Sequence, residues 1–353
     1  MSVNQYKHLF HYEWRLADGF PAPGIQANGR KVFGTFVCGG GSAMGYKLAG
    51  YDYLGGVEID AKVAEVYRTN LKPKYLYVED IRKTVERDDL PEELYHLDIL
   101  DGSPPCTLFS LNRGKKREDA WGKPKTFAEG QAAQTLDDLV FVWAELVNKL
   151  RPKVALMENV EGLVKGGAKK YYLHILQRLG EYGYDAQGFV LDAQNMGVPQ
   201  MRRRCFIIAR RRDLHLPPLH LNFQEPVITF GEMREPQAEG DIGKICMAMW
   251  KLRKPGDKSI GDVCQRTRQK TSMFSVWFAY DSRPVPTLVT TNHVCFDVPR
   301  EMTQKERKKA ATFPIDYDDT GGDIYFLTGM CVPPVMTAQI AHQIDLQWFT
   351  KID

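Results

Sequence analysis

A cysteine that follows two prolines is the first candidate for chemistry in this sequence. Cys106 ends the segment Asp-Gly-Ser-Pro-Pro-Cys, which comes directly after an apolar run at 97–100. Prolines restrict the backbone and so fix the direction in which the thiol points. A thiol beside positive charge loses its proton readily and becomes a nucleophile. The alternative is a buried cysteine that behaves as a small apolar side chain, which is the commoner fate.

Two charged sites at the ends of apolar runs could assist such a nucleophile. Glu158 follows the run 154–157, and a carboxyl that is buried at a strand end keeps its proton and can act as an acid. The run 205–209 is preceded by three arginines. Since alternate residues of a strand share a face, Arg202 and Arg204 are predicted to point the same way. Solvated surface charges are the alternative for both sites.

A glycine cluster at Gly39, Gly40 and Gly41 follows the first apolar run. Glycines at the start of a helix allow the backbone to approach a ligand closely. The spacing differs from the dinucleotide pattern G-x-G-x-x-G, because Met44 stands at the third glycine, and a phosphate-loop lysine is missing. Glu58 ends the next apolar run, where it could bond ribose hydroxyls. A tight turn with a solvated carboxylate is the alternative.

The elements that must position these residues alternate along the chain. The pattern predicts strands at 32–38, 53–59, 97–100, 154–157 and 205–209, and helices at 44–48, 61–70, 135–150 and 171–182. Such alternation indicates an α/β fold, with a Rossmann-like, mostly parallel sheet that carries helices on both faces. Ligands of these sheets bind beyond the carboxyl ends of the strands.

The chain of 353 residues is long enough for about two domains. We predict a large domain at 1–212, a smaller irregular domain at 213–322, and a segment at 323–353 that returns to the large domain. Seven scattered cysteines without a C-x-x-C pair argue against a zinc ribbon or a disulfide framework, and they favour a reducing cytoplasm. We expect no metal and no membrane contact, because no apolar run reaches the ~18 residues of a membrane span.

In their order, these motifs resemble those of the DNA (cytosine-5)-methyltransferase family. The resemblance runs from about Val32 to Ile344. It includes the glycine loop, the acid at 58, Asp-Ile at 80–81, Pro-Pro-Cys at 104–106, Glu-Asn-Val at 158–160 and Gln-x-Arg-x-Arg at 200–204, followed by Arg-Pro-Val-Pro-Thr at 283–287 and Gly-Met-Cys-Val-Pro-Pro at 329–334. It implies a large domain for cofactor and catalysis, and a small target-recognition domain.

The resemblance also implies the reaction and the catalytic roles. A methyl group would pass from S-adenosyl-L-methionine to carbon 5 of a cytosine that is flipped out of DNA. Cys106 would add to carbon 6 of the base, and Glu158 would hold the proton on ring nitrogen 3. Arg204 would contact the carbonyl oxygen of the base, and Arg202 would support Cys106 or the adduct.

For the cofactor, the resemblance assigns residues that follow successive strands. Phe36 would lie on the adenine face, and the three glycines at 39–41 would form the close-approach loop. The remaining cofactor residues are Glu58 and Ile59 at the ribose, Asp80 and Ile81 at the adenine edge, and Leu139 in an apolar wall. Three departures from the family pattern stand out: Cys38 replaces the first loop glycine, Thr107 and Leu108 replace Gln-Gly, and Met330 replaces Asn.

DNA is the expected partner because the stretch 244–270 carries eight Lys or Arg against two Asp, a net charge of +6. The predicted DNA contacts are Ser110, Lys251, Arg253, Lys254, Arg266 and Arg268, and the basic loop at 114–119 could close on the strand. We expect a monomer in a bacterial or phage-infected cytoplasm, within restriction–modification, and leave a restriction endonuclease partner open. Two other functions stay possible: a transfer RNA cytosine methyltransferase, although its Cys-Phe-Thr signature is missing, and a catalytically silent DNA-binding protein.

Overall fold

The structure is a computed structural model that describes residues 8–105, 138–269 and 276–352. Cys106, Ser110, the replacements at 107–108 and the basic loop at 114–119 lie outside the described residues.

A seven-stranded sheet forms the centre of the described chain, in the order β3-β2-β1-β4-β5-β8-β6. Its strands are β1 (Lys31–Thr35), β2 (Asp52–Glu58), β3 (Tyr75–Val78), β4 (Ile99–Gly102), β5 (Val154–Val160), β6 (Tyr184–Asp192) and β8 (Arg203–Arg211). The pairs from β3 to β5 are parallel, whereas β8 runs antiparallel to both of its neighbours. The predicted α/β fold with a mostly parallel sheet is therefore confirmed.

Helices cover both faces of this sheet. The helices of the described residues are α1 (Gly41–Leu48), α2 (Ala61–Leu71), α3 (Ile81–Glu86), α4 (Leu139–Leu150), α5 (Lys169–Glu181), α6 (Phe230–Met233), α7 (Gly243–Lys251), α8 (Ile260–Thr267), α9 (Gln304–Ala310), α10 (Ile324–Met330) and α11 (Pro334–Gln347). Of these, α7 and α8 belong to a separate, smaller core. On one face α1 packs against α11, and on the other α4 packs against α3 and α5.

The side chains of each strand alternate between two hydrophobic cores. In β1, Val32 belongs to the core under α1 and α11, and Phe33 to the core under α4. The same alternation runs along β8, where Phe206 and Ile208 face the first core while Ile207 faces the second. Because a strand has a side-chain period of two, this pattern fixes the register of the whole sheet.

A third, smaller core lies between residues 242 and 296. It joins α7 and α8 to the short strands β9 (Phe278–Ala279) and β11 (Val294–Cys295). The flanking segments around Leu216 and Phe313 pack instead against the large core. The division into domains at 213 and 322 stays a prediction, and this packing indicates a narrower small unit than we expected.

The last helical stretch, Ile324–Lys351, has the length and mean hydropathy, 1.3, of a membrane span. However, 78% of its most apolar window is buried inside the fold. The segment is apolar because α11 packs closely against α1. The packing is so close that a Cβ on Gly45 of α1 would lie 2.4 Å from the carbonyl oxygen of Pro334. The prediction that this segment packs back onto the large domain agrees with the contact.

Candidate active site

A cavity of about 120 Å³ opens beyond the carboxyl ends of β1, β2 and β4. It is lined by Phe36, Val37, Cys38, Gly41, Ser42, Glu58, Ile59, Asp60, Val63, Asp101, Ser103, Pro105, Phe326, Met330, Cys331 and Val332. We call it the first cavity. Its position is where open α/β sheets bind ligands, and the chain leaves it at Pro105 toward Cys106.

Glu58 connects the glycine loop to the end of β2. Its carboxylate accepts hydrogen bonds from the backbone N–H groups of Cys38, at 2.9 Å, and Asp60, at 3.0 Å. Burial raises the pKa of the Glu58 carboxyl, and these N–H groups oppose the rise. Cys38 adopts a left-handed backbone with φ 48°, the conformation that a glycine takes without strain. The cysteine therefore preserves the turn at the cost of some backbone strain.

The loop glycines are required by packing within the protein. A Cβ on Gly41 would lie 2.1 Å from the carbonyl oxygen of Val332, and one on Gly40 would lie 2.4 Å from the side chain of Leu71. Gly40 also has φ 82°. Gly41 thus admits the segment before α11, whose Cys331 and Val332 line the first cavity, whereas Gly40 admits the side chain of Leu71. The close approach of these glycines to a ligand stays a prediction.

Several residues that we assigned to the cofactor do not line the first cavity. Asp80 caps α3 by accepting from the Arg82 N–H, and its carboxylate pairs with the Arg82 guanidinium at 2.9 Å. Ile81 and Leu139 are buried in the core between the sheet, α3 and α4. These side chains make local contacts in the described chain, and their assignment to the cofactor stays a prediction. Gly39 and Gly40 belong to the glycine loop but do not line the first cavity.

Glu158 and Arg204 form a buried ion pair on the antiparallel strands β5 and β8. Nε of Arg204 lies 2.9 Å from Oε1 of Glu158, and both side chains are less than 15% exposed, at 14% and 11%. Val160 is the direct partner of Arg204 in the sheet, so the two charged residues are diagonal neighbours on one face. Burial raises the pKa of the Glu158 carboxyl against the opposing effect of Arg204 and Arg202.

Asn159 connects this pair to the chain that leads to Cys106. Its side-chain amide is buried and donates to the carbonyl oxygen of Pro104 at 3.2 Å. Our sequence reasoning missed this contact, although an amide beside an acid at the end of a buried strand is an available signal. The contact holds the Pro-Pro segment against the end of β5, close to Glu158.

Arg202 lies between β7 (Gln200–Met201) and β8 and is 1% exposed. Its guanidinium donates to the carbonyl oxygens of Gly329 at 2.9 Å, Cys331 at 3.0 Å and Leu288 at 3.4 Å. Burial, together with Arg204, lowers the pKa of Arg202 to about 9. In the described chain Arg202 joins β7 to the segments at 288 and 329–331, and its role beside Cys106 stays a prediction.

Replacing Arg202 by methionine should lower the free energy of unfolding by about 3 kcal/mol, because buried carbonyls that lose their donor cost roughly 1–3 kcal/mol each. The matched control is Arg203→Met, since Arg203 is 54% exposed and pairs with Glu161 at 3.1 Å. That change should cost less than about 1 kcal/mol. Urea unfolding of the three proteins measures both values, and similar losses in the two variants would contradict this role for Arg202.

A second cavity, of about 580 Å³, lies on the other side of Arg204. Its walls come from the ends of β5 and β8, from Trp277 beside the small core, and from the segment around Pro286 and Thr287. That segment is held because Thr287 donates to the carbonyl oxygen of Met201 at 2.6 Å. Arg204 thus reaches the second cavity while it pairs with Glu158.

The predicted DNA contacts in the small unit fall into two groups. Lys251, Lys254 and Arg268 are exposed and belong to no ion pair within the described chain. By contrast, the Arg253 guanidinium lies 3.2 Å from the Trp250 ring centre and donates to the Phe296 carbonyl. Arg266 pairs with Asp257 at 2.7 Å. These two arginines make contacts within the small unit, and their role as DNA contacts stays a prediction.

Comparisons with known proteins agree with this geometry. Residues 31–346 match a family model described as C-5 cytosine-specific DNA methylase. The chain is 33% identical over 205 residues to Type II methyltransferase M.Sau96I of Staphylococcus aureus, covering 58% of this chain and 44% of that relative. It is 26% identical over 332 residues to Type II methyltransferase M1.HphI of Haemophilus parahaemolyticus, covering 86% and 84%.

The fold is also similar to that of a solved structure, the S. pombe Dnmt2 methyltransferase. The TM-score is 0.58 at 15% sequence identity, with 90% of this chain and 99% of that chain covered. The chain spans less than half the length of M.Sau96I, at 44%, and 37% of the length of Type II methyltransferase M.NaeI of Lentzea aerocolonigenes.

Proposed function

Because the chain belongs to the C-5 cytosine-specific DNA methylase family, we propose that it transfers a methyl group from S-adenosylmethionine to carbon 5 of cytosine in DNA. The observation that carries this proposal is the buried pair of Glu158 and Arg204, whose arginine lines the second cavity. The first cavity offers apolar side chains and a carboxylate, as a nucleoside-binding site requires. The second cavity is bounded by Trp277 beside the small core. Pro105, at the exit of the first cavity, immediately precedes the proposed nucleophile Cys106.

The residues of the first cavity fit the proposed cofactor. Phe36, Val37 and Ile59 offer apolar surface for an adenine ring, and Glu58 offers carboxylate oxygens to ribose hydroxyls. When bound, S-adenosylmethionine supplies an electrophilic methyl group on a sulfonium. The glycine loop holds the far wall of the cavity, since Gly41 admits the segment at Val332.

In the proposed reaction, the residues of this chain activate the cytosine ring. The Cys106 thiolate adds to carbon 6, which makes carbon 5 nucleophilic enough to accept the methyl group. Glu158 holds the proton on ring nitrogen 3, and Arg204 contacts the carbonyl oxygen of the base. Water then accepts the proton from carbon 5, and the electrons of that C–H bond re-form the double bond as the bond from carbon 6 to sulfur breaks and releases the Cys106 thiolate. Burial raises the pKa of the Glu158 carboxyl against the opposing effect of Arg204, a shift in the direction that a proton-holding group requires.

Two further residues have positioning roles in this proposal. Asn159 holds the carbonyl of Pro104 and so restrains the chain that leads to Cys106. Arg202 restrains the segment at 329–331, whose Met330 and Cys331 line the first cavity. We assign neither residue to contact with the reacting atoms.

The target base must leave the duplex to reach these groups, at a cost of a few kcal/mol. The second cavity, with Arg204 on its wall, has room for the extruded ring at about 580 Å³. Exposed Lys251, Lys254 and Arg268 could then hold phosphates of the opened duplex. The relatives named type II methyltransferases support a place in bacterial restriction–modification, acting on DNA in the cytoplasm.

Exchange of Lys251 and Lys254 together for glutamine should reduce the dependence of DNA affinity on salt. Two lost phosphate contacts lower the slope of log K against log salt by about 2. The matched control exchanges Lys72 and Lys351, which are exposed on other parts of the chain. Fluorescence anisotropy with a labelled duplex measures the slope, and an equal change in both double variants would exclude a specific phosphate contact.

The proposed function is tested by incubating the protein with S-adenosylmethionine that carries a tritiated methyl group. Duplex DNA and transfer RNA are offered separately and then in competition. We expect label in DNA, located at carbon 5 of cytosine by digestion and chromatography. Label only in transfer RNA would identify the protein as a transfer RNA methyltransferase. Binding of the cofactor without methyl transfer to either polymer would identify it as a catalytically silent protein.

A further inference from the structure

A buried carboxylate in the first cavity has no charged partner within the described chain. Asp101 is 3% exposed, near the end of β4, and lines the cavity. Its Oδ1 accepts from the Tyr46 hydroxyl at 3.4 Å, and the Ser42 hydroxyl also contacts the carboxyl. No Lys, Arg or His of residues 8–105, 138–269 or 276–352 forms an ion pair with it.

The groups around Asp101 donate hydrogen bonds to its carboxylate but carry no positive charge. Tyr46 and Ser42 face it from α1, Tyr53 from β2, Tyr67 from α2, and Glu158 from β5. All of them are neutral hydroxyls or another carboxyl. An ionised carboxylate that is buried without a cation is costly, so it is protonated or it receives its cation from a ligand.

The order of the strands indicates which part of a ligand would meet Asp101. Glu58 ends β2 and Asp101 lies on β4, with β1 between them, so roughly 10 Å of sheet separates the two carboxylates. Glu158 follows on β5, one strand further. A cofactor with its ribose at Glu58 and its reactive end toward Glu158 therefore places the groups attached to its 5′ carbon beside Asp101.

We propose that Asp101 binds the positively charged methionine part of the cofactor, so that it distinguishes the charged methyl donor from an uncharged nucleoside. This inference rests on the proposed function and extends it to one residue. Burial, partly offset by Tyr46, raises the pKa of Asp101 to about 7 in the free protein. The cation of the ligand favours the ionised carboxylate, so affinity for the cofactor should rise as the pH increases through that value.

Titration calorimetry with two ligands tests the assignment. S-adenosylmethionine carries the sulfonium and the ammonium, and 5′-methylthioadenosine has the same nucleoside without either charge. Asp101→Asn should lower the affinity for S-adenosylmethionine by about 30-fold. The affinity of the same variant for 5′-methylthioadenosine should change by less than about threefold. The matched control is Asp60→Asn, another carboxylate of the cavity, which caps α2 and should leave the ratio of the two affinities unchanged.

Two further measurements separate this role from a structural one. The free Asp101→Asn protein should melt at a higher temperature than the wild type at pH 8, because the wild type then buries an uncompensated charge. The destabilisation of the wild type by this buried charge is absent below about pH 4, the pKa of an Asp in the unfolded chain, and is complete above about pH 7, the pKa of Asp101 in the folded protein. In Tyr46→Phe, which loses the hydroxyl donor, the pH midpoint of cofactor affinity should move upward.

The outcomes distinguish this inference from the proposed function. If the wild type does not bind S-adenosylmethionine, the proposed function fails. If it binds, but Asp101→Asn weakens both ligands equally or neither, only the assignment of Asp101 is overturned. A lower melting temperature of the free Asp101→Asn protein would also overturn it.

Discussion

Replacing Cys106 by serine should abolish methylation, with a fall in rate of ~10⁴-fold or more, while the affinity for S-adenosylmethionine is preserved. A serine hydroxyl has no neighbouring general base in this proposal and stays protonated, so it cannot add to carbon 6 as a thiolate does. Transfer of a tritiated methyl group to duplex DNA measures the rate, and calorimetry measures the cofactor affinity of the same preparation.

The matched control for this variant is Cys246→Ser, in the small core. Cys246 is 4% exposed and belongs to the cluster around α7 and α8. The Cys246→Ser variant should be somewhat less stable than the wild type and should retain its methylation rate. Equal rates for Cys106→Ser and the wild type would reject Cys106 as the nucleophile. Loss of cofactor affinity in Cys106→Ser would indicate a defect of folding in place of a defect of chemistry.

Glu158→Gln should lower the turnover rate by ~10²–10⁴-fold, the usual contribution of a positioned acid or base. Glutamine keeps the shape of the side chain but cannot release a proton to ring nitrogen 3. In the wild type, the rate should fall as the pH rises through the pKa of Glu158, which burial raises, because the protonated form is the active one. That limb of the pH profile should be missing in the variant.

The control for Glu158 is Glu161→Gln, on the wall of the second cavity. Glu161 pairs with Lys165 at 2.8 Å and with Arg203 at 3.1 Å, and its side chain is 16% exposed, so the variant removes a carboxylate of similar burial to which we assign no step of the reaction. Its rate should stay within about threefold of the wild type. A Glu158→Gln rate within the same limit, or a retained alkaline limb in its pH profile, would exclude Glu158 as the proton-holding group.

Much of the sheet was predictable because its strands are buried on both faces. The apolar runs that became β1, β2, β4 and β5 stand out from their helical surroundings. By contrast, β3 and β6 contain polar or half-exposed residues, such as Asp185 and Gln187 in β6, and gave no clear pattern. The antiparallel direction of β8 depends on its pairing with β5 and β6, which no local pattern encodes.

The parts of the candidate site that could be predicted are those marked by motifs in a fixed order along the sequence. Glu158 and Arg204 were expected to act together, and they form an ion pair across two strands. Contacts between distant segments could not be read in this way. The clearest example is Gly41, whose missing Cβ admits Val332 from the far end of the chain.

The same reason explains the contacts that sequence reasoning missed. Arg253 has the charge of a phosphate ligand, but its ring contact with Trp250 and its carbonyl partner Phe296 are visible only in the fold. Asp101 was read as part of the approach to Cys106. Its burial in a cavity without a cation becomes apparent only when β1, β2 and β4 lie side by side.

The most direct test of the account traps the bond between protein and base. The protein is incubated with S-adenosylmethionine and a duplex in which 5-fluorocytosine replaces cytosine, so that the proton normally lost from carbon 5 is replaced by fluorine. We predict a covalent complex that survives denaturation, and peptide mass spectrometry should locate the nucleotide on Cys106. A protein that methylates ordinary DNA but forms no such complex, or forms it through another residue, would contradict the account.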